Sequence, residues 1–197
     1  MSEVKKRGPY AKSAERRSAI IDAAFEVFAE RGYNSGSFQD IADRVGMSQT
    51  SLLHYFPNKS ALLLAVLDRR DEIIDDLPDP ALGMAAGILG RAHTNEKIPG
   101  VVQLYTVLCG EATTEEHPGR DYFVTRFRNL RSEYAAELRT LRLREGVDPD
   151  RAAATIIGLW DGVQLQWLLE PDAVDVEACL RDYLQLILPE GLRRNHA

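Results

Sequence analysis

Gln49, Thr50, Leu53 and His54 lie within six consecutive residues, and several of these side-chain types can read base edges in a DNA groove. A glutamine amide pairs bidentately with adenine N6/N7, a threonine suits several bases, and a leucine offers apolar contact to a thymine methyl. At about 100° per residue, these four sweep one arc of a helix, while Leu52 and Phe56 turn to another side and should anchor it to a core. Such a surface is useful only if something holds it rigidly. Ser37 is placed to cap a first helix, on which Ile41, Ala42 and Val45 make an apolar edge. Gly46 can take the left-handed conformation that ends a helix, and Ser48 can cap a second one from Gln49 to Tyr55 or Phe56. Ser37 to Lys59 therefore reads as two short helices joined by a glycine turn, the arrangement that lays its second helix in the major groove. Gln49 and Thr50 are the best base-contact candidates, and Ser48 beside them and Gln39, near the start of the first helix, are further DNA-contact candidates.

Charge is distributed to match. The chain of 197 residues carries a net −6, yet residues 1–60 hold nine Lys/Arg against seven Asp/Glu, and residues 61–197 hold fifteen against twenty-three. Lys5, Lys6, Arg7, Lys12, Arg16 and Arg17 form the notable basic cluster. Gly8 and Pro9 keep its start out of a helix. Such an arm can follow phosphates or enter a minor groove, or it can be a solvated terminus. The acidic remainder discourages nonspecific binding elsewhere on the surface.

Elsewhere the chain reads as nearly all helix. Helices are expected over Ala14–Arg31, Lys59–Asp75, Ala81–Thr94, Pro99–Glu115, Arg120–Arg144, Pro149–Leu169 and Val174–Leu188, with prolines and glycines at their ends. No alternating β-branched stretch bounded by hairpin turns is found. The expected organisation is a basic arm over 1–12, a helix-turn-helix domain over 13–58, a connecting helix over 59–76, a larger helical body over 77–189 and a tail over 190–197. The expected fold is all-α with about nine helices.

The helix expected at 149–169 is apolar on two opposite sides, Ile156, Trp160, Val163 and Trp167 on one and Ala154, Gly158, Leu165 and Leu169 on the other. A helix apolar on both sides must be covered on both. Each of Gly158 and Gly162 costs roughly 1 kcal/mol against alanine in a helix, so a packing reason is expected, such as close approach of a partner helix. The last helix carries Val176, Cys179, Leu180, Tyr183, Leu184 and Ile187 along one stripe. Pairing of both helices with their copies would bury Ala154, Gly158, Gly162, Leu165, Leu169, Leu180, Tyr183, Leu184 and Ile187 in a four-helix homodimer interface. A single recognition helix touches few base pairs, so a two-fold pair reading an inverted repeat is also what specificity demands.

Enzyme chemistry finds little foothold. Cys109 and Cys179 form no CxxC, and the histidines at 54, 93, 117 and 196 show no metal-ligand spacing. No phosphate-cradling glycine loop or nucleophile elbow is present, so neither cofactor nor metal is expected. No apolar run reaches the roughly 18 to 20 residues needed to span a bilayer. No apolar stretch follows the charged start, so no secretory signal is expected and a cytoplasmic location is.

The stretch from about residue 14 to 68 resembles the N-terminal domain of the TetR (tetracycline-repressor-like) family of transcriptional regulators. Ala23, Ala24, Phe25, Phe28, Gly32, Tyr33, Ile41, Ala42, Gly46, Ser48, Leu52, Tyr55, Phe56, Lys59 and Leu62 carry the resemblance. Leu53 is a departure, standing where the family often has tyrosine. The resemblance implies a repressor that binds a palindromic operator as a dimer, with phosphate contacts from His54, Tyr55 and Lys59. It also implies a small-molecule effector pocket in the C-terminal helices, whose occupancy moves the connecting helix.

Candidate lining for that pocket comes from the residues themselves. The helix after Pro99 has an apolar arc that includes Tyr105, with Cys109 at its margin and Glu111 at its edge. Glu111 is either a ligand-facing acid or an ion-paired glutamate. Phe123, Phe127, Trp160, Gln164 and Trp167 would add an aromatic wall with one polar group, or else are plain core. Alternatives to a ligand-released repressor are a helical DNA-binding protein governed by a protein partner and, more remotely, an all-helical carrier or enzyme.

Overall fold

The computed structural model describes residues 9–75 and 84–188, with side chains placed over 12–73 and 84–188. Lys5, Lys6 and Arg7 lie outside the described residues, as do Pro78, Pro80 and the tail. Among the described residues the chain is all-α, and nine helices follow one another: α1 (Pro9–Ser35), α2 (Phe38–Val45), α3 (Gln49–Leu53), α4 (Lys59–Asp75), α5 (Met84–Asn95), α6 (Pro99–Glu111), α7 (Arg120–Leu138), α8 (Pro149–Leu169) and α9 (Val176–Ile187).

The boundaries follow local chemistry. α1 begins at Pro9, five residues before the expected Ala14, and so takes in the end of the expected arm, because a proline at the first helical position loses nothing by its missing N–H. Near the other end Gly32, at φ +74° and ψ 172°, interrupts α1, and the helix resumes to Ser35. α3 stops at Leu53, sooner than expected, because the backbone tightens into turns in which His54 donates to Ser51 and Tyr55 to Leu52, with Pro57 close behind. α6 ends at Glu111 rather than Glu115. There the Thr113 and Thr114 hydroxyls donate to the carbonyls of Gly110 and Glu111, offering the backbone an alternative to helix. α7 ends at Leu138 rather than Arg144, and the loop beyond is tied down where the Arg144 N–H donates to the Ile187 carbonyl.

Two apolar cores result. The first joins α1–α4 to α6 and the start of α7: Ile20, Ala24, Phe28, Ile41, Leu52, Phe56, Leu63 and Leu67 pack with Leu104, Leu108 and Phe123. The second lies among α5, α7, α8 and α9, around Ile88, Leu138, Ile156, Leu180 and Leu184. Each fully buried side chain of this size stabilises by about 1.5–3 kcal/mol. α1 packs most extensively against α6, and α7 against α8. The helix-turn-helix is therefore seated on α1, and through α1 it shares a core with α6.

The stripe expected on α9 is turned inward. Leu180, Leu184 and Ile187 are 1%, 1% and 5% exposed and pack against α5 and α8 of their own chain. That corrects their assignment to a subunit interface, because side chains filling the chain's own core have no surface left for a partner.

Candidate functional site: recognition helix and polar cavity

The first turn of α2 is held by a reciprocal pair. Ser37 Oγ accepts from the Asp40 N–H at 3.1 Å, and Asp40 Oδ2 accepts from the Ser37 N–H at 3.0 Å, a capping box that satisfies two otherwise orphaned donors. Gly46 closes α2 in the left-handed region at φ +69° and ψ 44°, and the Met47 N–H donates back to the Ala42 carbonyl at 2.9 Å. Ser48 then starts α3, its Oγ accepting from the Ser51 N–H at 3.1 Å. Arg44 reaches from α2 to Glu26 and Glu30 of α1, and Arg31 of α1 meets Asp40 at 2.9 Å. These pairs bridge α2 to α1, though such exposed pairs add little stability individually.

α3 and the turn after it are thereby divided into two faces. Leu52 and Phe56 are 0% and 2% exposed in the first core, while Leu53 is 43% exposed, and Gln49, Thr50 and His54 are exposed as well. The other candidate contacts are more constrained. Ser48 is exposed, but its oxygen serves the cap. The Gln39 amide donates to Asp43 at 2.6 Å. Tyr55 is half-buried against the core. Lys59 lies with its ammonium 4.4 Å from the centre of the Tyr33 ring and donates to the Asn34 carbonyl at 3.4 Å. Burial holds Lys59 below the usual lysine range, against the opposing pull of Glu111 and Asp40. Arg17, from the basic cluster, places its guanidinium 4.7 Å from the centre of the Phe56 ring.

The second feature is a cavity of about 60 Å³ among five helices. It is lined by Arg70 of α4, Arg91 and Asn95 of α5, Tyr105 of α6, Arg126, Leu130 and Tyr134 of α7, and Ile156, Ile157, Trp160, Asp161 and Gln164 of α8. Tyr105, Trp160 and Gln164 were expected at such a site. Arg70, Arg91, Asn95, Arg126, Tyr134 and Asp161 were not, because nothing in their local pattern separates them from the polar residues of solvated helix faces. Asp71 ties the wall to α4 and α7. It accepts from Arg70 at 2.9 Å and from the Tyr122 hydroxyl at 2.7 Å, and Arg126 lies 3.5 Å away. Burial pushes the Asp161 carboxyl up to about 6 despite Arg126 and Arg70.

Several expected lining residues sit elsewhere. Phe123 packs edge-on against Tyr122, with ring centres 5.0 Å apart, deep in the first core. Phe127 and Cys109 pack on that core's margin and Trp167 on the second core. Burial pushes the Cys109 thiol up to about 11, which leaves it protonated.

Glu111 is a structural clamp. Its carboxylate accepts from the Tyr33 N–H at 2.6 Å and the Asn34 N–H at 3.1 Å. These donors are freed where Gly32 breaks α1, and a Cβ on Gly32 would come within 2.6 Å of Glu111 Oε1. Glycine is thus required both for its positive φ and for the approach of the carboxylate. His117 is buried beside the clamp. Its Nδ1 accepts from the Gly119 N–H at 3.1 Å and its Nε2 lies 3.9 Å from Glu111. Burial holds His117 below its usual range, only partly countered by that carboxylate.

On α8, Ala154, Gly158, Gly162, Leu165 and Leu169 are all exposed, Leu169 at 75%. A Cβ on Gly158 or Gly162 would meet nothing within 4 Å. Leu186 of α9 is 62% exposed, and Tyr183 is half-buried against the second core.

An exposed polar arc on a helix that is anchored by its opposite face is the architecture of helix-turn-helix DNA-binding proteins. Residues 20–66 match the model of bacterial regulatory proteins of the tetR family, and residues 99–189 match that of the BetI-type transcriptional repressor C-terminal domain. The chain belongs to the TetR family of transcriptional regulators. It is 44% identical over 64 residues to the HTH-type transcriptional activator FasR of Mycolicibacterium smegmatis, spanning 32% of this chain and 29% of that relative. It is 27% identical over 171 residues to the regulator BetI of Rhizobium meliloti, spanning 83% of each. The crystal structure of NalD, the secondary repressor of the MexAB-OprM multidrug efflux pump in Pseudomonas aeruginosa, superposes with a TM-score of 0.71 at 21% identity, over 90% of this chain and 98% of that one. Among the described residues no helix is long and apolar enough to cross a membrane.

Proposed function

We propose that this protein is a dimeric, cytoplasmic repressor that reads an inverted-repeat operator with α3 and releases it when a small molecule enters the polar cavity. The observation that carries the DNA reading is the division of α3 and the turn after it, with Leu52 and Phe56 sealed in the core and Gln49, Thr50, Leu53 and His54 exposed. Residues 13–58 act as the reading head, 59–76 as the connecting helix, and 77–189 as the effector-binding and dimerising body. Lys5, Lys6 and Arg7 follow the phosphate backbone beside the head, with Tyr55 and Lys59 holding phosphates at its edge. The match of residues 99–189 to a repressor's C-terminal model supports repression over activation.

The dimer reading rests on α8. Two exposed helical glycines meet nothing in their own chain, although each costs about 1 kcal/mol relative to alanine. Approach of a second α8 would account for both, with Leu165, Leu169 and Leu186 completing the face. Effector control rests on α4, which carries Lys59 at its DNA-proximal end and Arg70 on the cavity wall. Eleven residues of helix span about 16 Å. A ligand that prefers a different placement of Arg70 would move the heads. It acts only through that difference in affinity between the two states.

Selection of preferred sites from random duplex DNA should return an inverted repeat. On that site Gln49→Ala should relax base preference at one position per half-site, costing about 1–3 kcal/mol there. Lys59→Ala should weaken all duplexes alike and lower the salt slope by about one. Unaltered binding by both variants would show that α3 does not face DNA.

A further inference from the structure

Resting on the effector reading above, we infer that the cavity ligand is a small organic monoanion, a carboxylate on a compact apolar body. Six buried side-chain polar atoms among the described residues have no hydrogen-bond partner, and four of them belong to residues lining this one cavity: Arg70 Nε, Arg126 Nε, Gln164 Nε2 and Asn95 Oδ1. Arg70, Asn95 and Gln164 are 6%, 9% and 4% exposed, so water does not readily serve them. An unsatisfied buried polar group costs about 1–3 kcal/mol, and several converging on one space point to a ligand that completes them. Three of the four are N–H donors. The fourth belongs to an amide that can present its NH₂ end by rotation.

Charge gives the sign of the ligand. Arg70, Arg91 and Arg126 line the cavity with Asp161, and Asp71 contacts Arg70 and Arg126 from beside it. Three guanidinium groups against two carboxylates leave +1, the charge that a monoanion neutralises. A cationic ligand is disfavoured by that charge, and the Tyr105 face that could hold one is already engaged. The guanidiniums of Arg70 and Arg126 lie 4.5 and 5.5 Å from the centre of the Tyr105 ring. Leu130, Ile156, Ile157 and Trp160 supply the apolar part of the wall. About 60 Å³ receives a carboxylate head group, whereas a cavity that binds benzene is about 150 Å³. A larger body must displace part of that apolar wall, and such a displacement is the differential contact an effector needs.

Asp161 adds a pH signature. The groups facing it are Arg70 from α4, Arg126 from α7, and Tyr105 and Cys109 from α6, while Arg91 of α5 and Gln164 of its own helix share the cavity wall. Its carboxyl ionises near pH 6, so above that pH it repels a bound carboxylate and below it does not.

The test is calorimetric titration of the full chain with isobutyrate and benzoate, alongside isobutyramide and benzamide as neutral matches and phenyltrimethylammonium as a cation. Operator release is measured in parallel. The carboxylates should bind at least about tenfold more tightly than their amides, and Arg91→Gln and Gln164→Leu should each weaken them about tenfold. Between pH 5.5 and 7.5, where the probes stay ionised, affinity should fall several-fold, and Asp161→Asn should flatten that fall. Binding of an amide or of the cation as tight as that of the carboxylates overturns the inference, and so does failure of both carboxylates to bind. Carboxylate binding that leaves the operator complex intact upholds the anion site and overturns the release mechanism.

Discussion

The head and the cavity treat polar groups in opposite ways. In the head the polar side chains that shape the helices find partners a few residues away: Ser37 with Asp40, Ser48 with Ser51, and Asn58 with the Ala61 N–H. Around the cavity, polar groups are carried inward by five different helices, and one buried polar atom on each of Arg70, Asn95, Arg126 and Gln164 has no partner. The head spends its polar chemistry on its own rigidity, which suits a surface that must reach DNA preformed. The cavity keeps donors unspent, which suits a site completed by something else.

The contrast is tested most severely within α3. If that helix is rigid because of its inner face, Leu52→Ala should destabilise the protein by about 2–5 kcal/mol, because Leu52 is fully buried. Leu53→Ala, one residue away and 43% exposed, should stay within about 0.5 kcal/mol. Urea unfolding of both variants decides the matter. Equal losses would mean that Leu53 is also packed and that the reading face is misplaced.

The same contrast explains what could be read from the sequence. The caps at Ser37 and Ser48, the left-handed Gly46 and the inward Leu52 were legible because each depends on neighbours within four residues. The α8 boundaries were legible because Pro149 and Pro171 flank them. The reciprocal role of Asp40 was missed, although serine followed three residues later by an acidic side chain is its local signature. The cavity was hardly legible. Arg70, Asn95, Arg126 and Asp161 are 25 or more residues apart along the chain and meet only through tertiary packing. Glu111 stood out as an acid on an apolar arc, but its partners are backbone N–H groups 78 and 77 residues away, which no side-chain pattern reveals. On α9 one apolar stripe was visible, and periodicity alone cannot say whether it faces the chain's own core or a second subunit.

Glu111 is the place where head and body are joined, so it sharpens the comparison. Glu111→Ala would leave the Tyr33 and Asn34 N–H groups without their charged acceptor and should cost about 2 kcal/mol. Hydrogen exchange should rise first at residues 33–36, before the cavity helices respond. Uniform loss of protection across α8 and α9 would mean that the head has no separate stability.

Asp161 should behave in the opposite sense. Its native pKa of about 6 lies above the ordinary aspartate value of 3.8, so between these pH values the folded state binds more protons than the unfolded state and stability falls as pH rises. Below about pH 4 the group is neutral in both states and the penalty vanishes. Well above pH 6 it is fully charged and the whole penalty is present, roughly 3 kcal/mol. Asp161→Asn should therefore stabilise the protein at pH 8 and do almost nothing at pH 4, as read by denaturant midpoints. A benefit equal at both pH values would place the cause in packing rather than charge.

The smallest expected effect has the most informative sign. In a lone chain Gly158→Ala should gain up to about 1 kcal/mol, since alanine favours the helix and its Cβ would meet nothing within 4 Å. If a second α8 lies against that glycine, the added methyl occupies the space the partner needs, and the dimer weakens while the monomer strengthens. Sedimentation across a concentration series separates the two terms. A variant that is more stable at every concentration, with an unchanged association constant, would leave the exposed leucines of α8 without their partner. A variant that dissociates more readily yet melts higher as a monomer would put the two-fold axis beside Gly158.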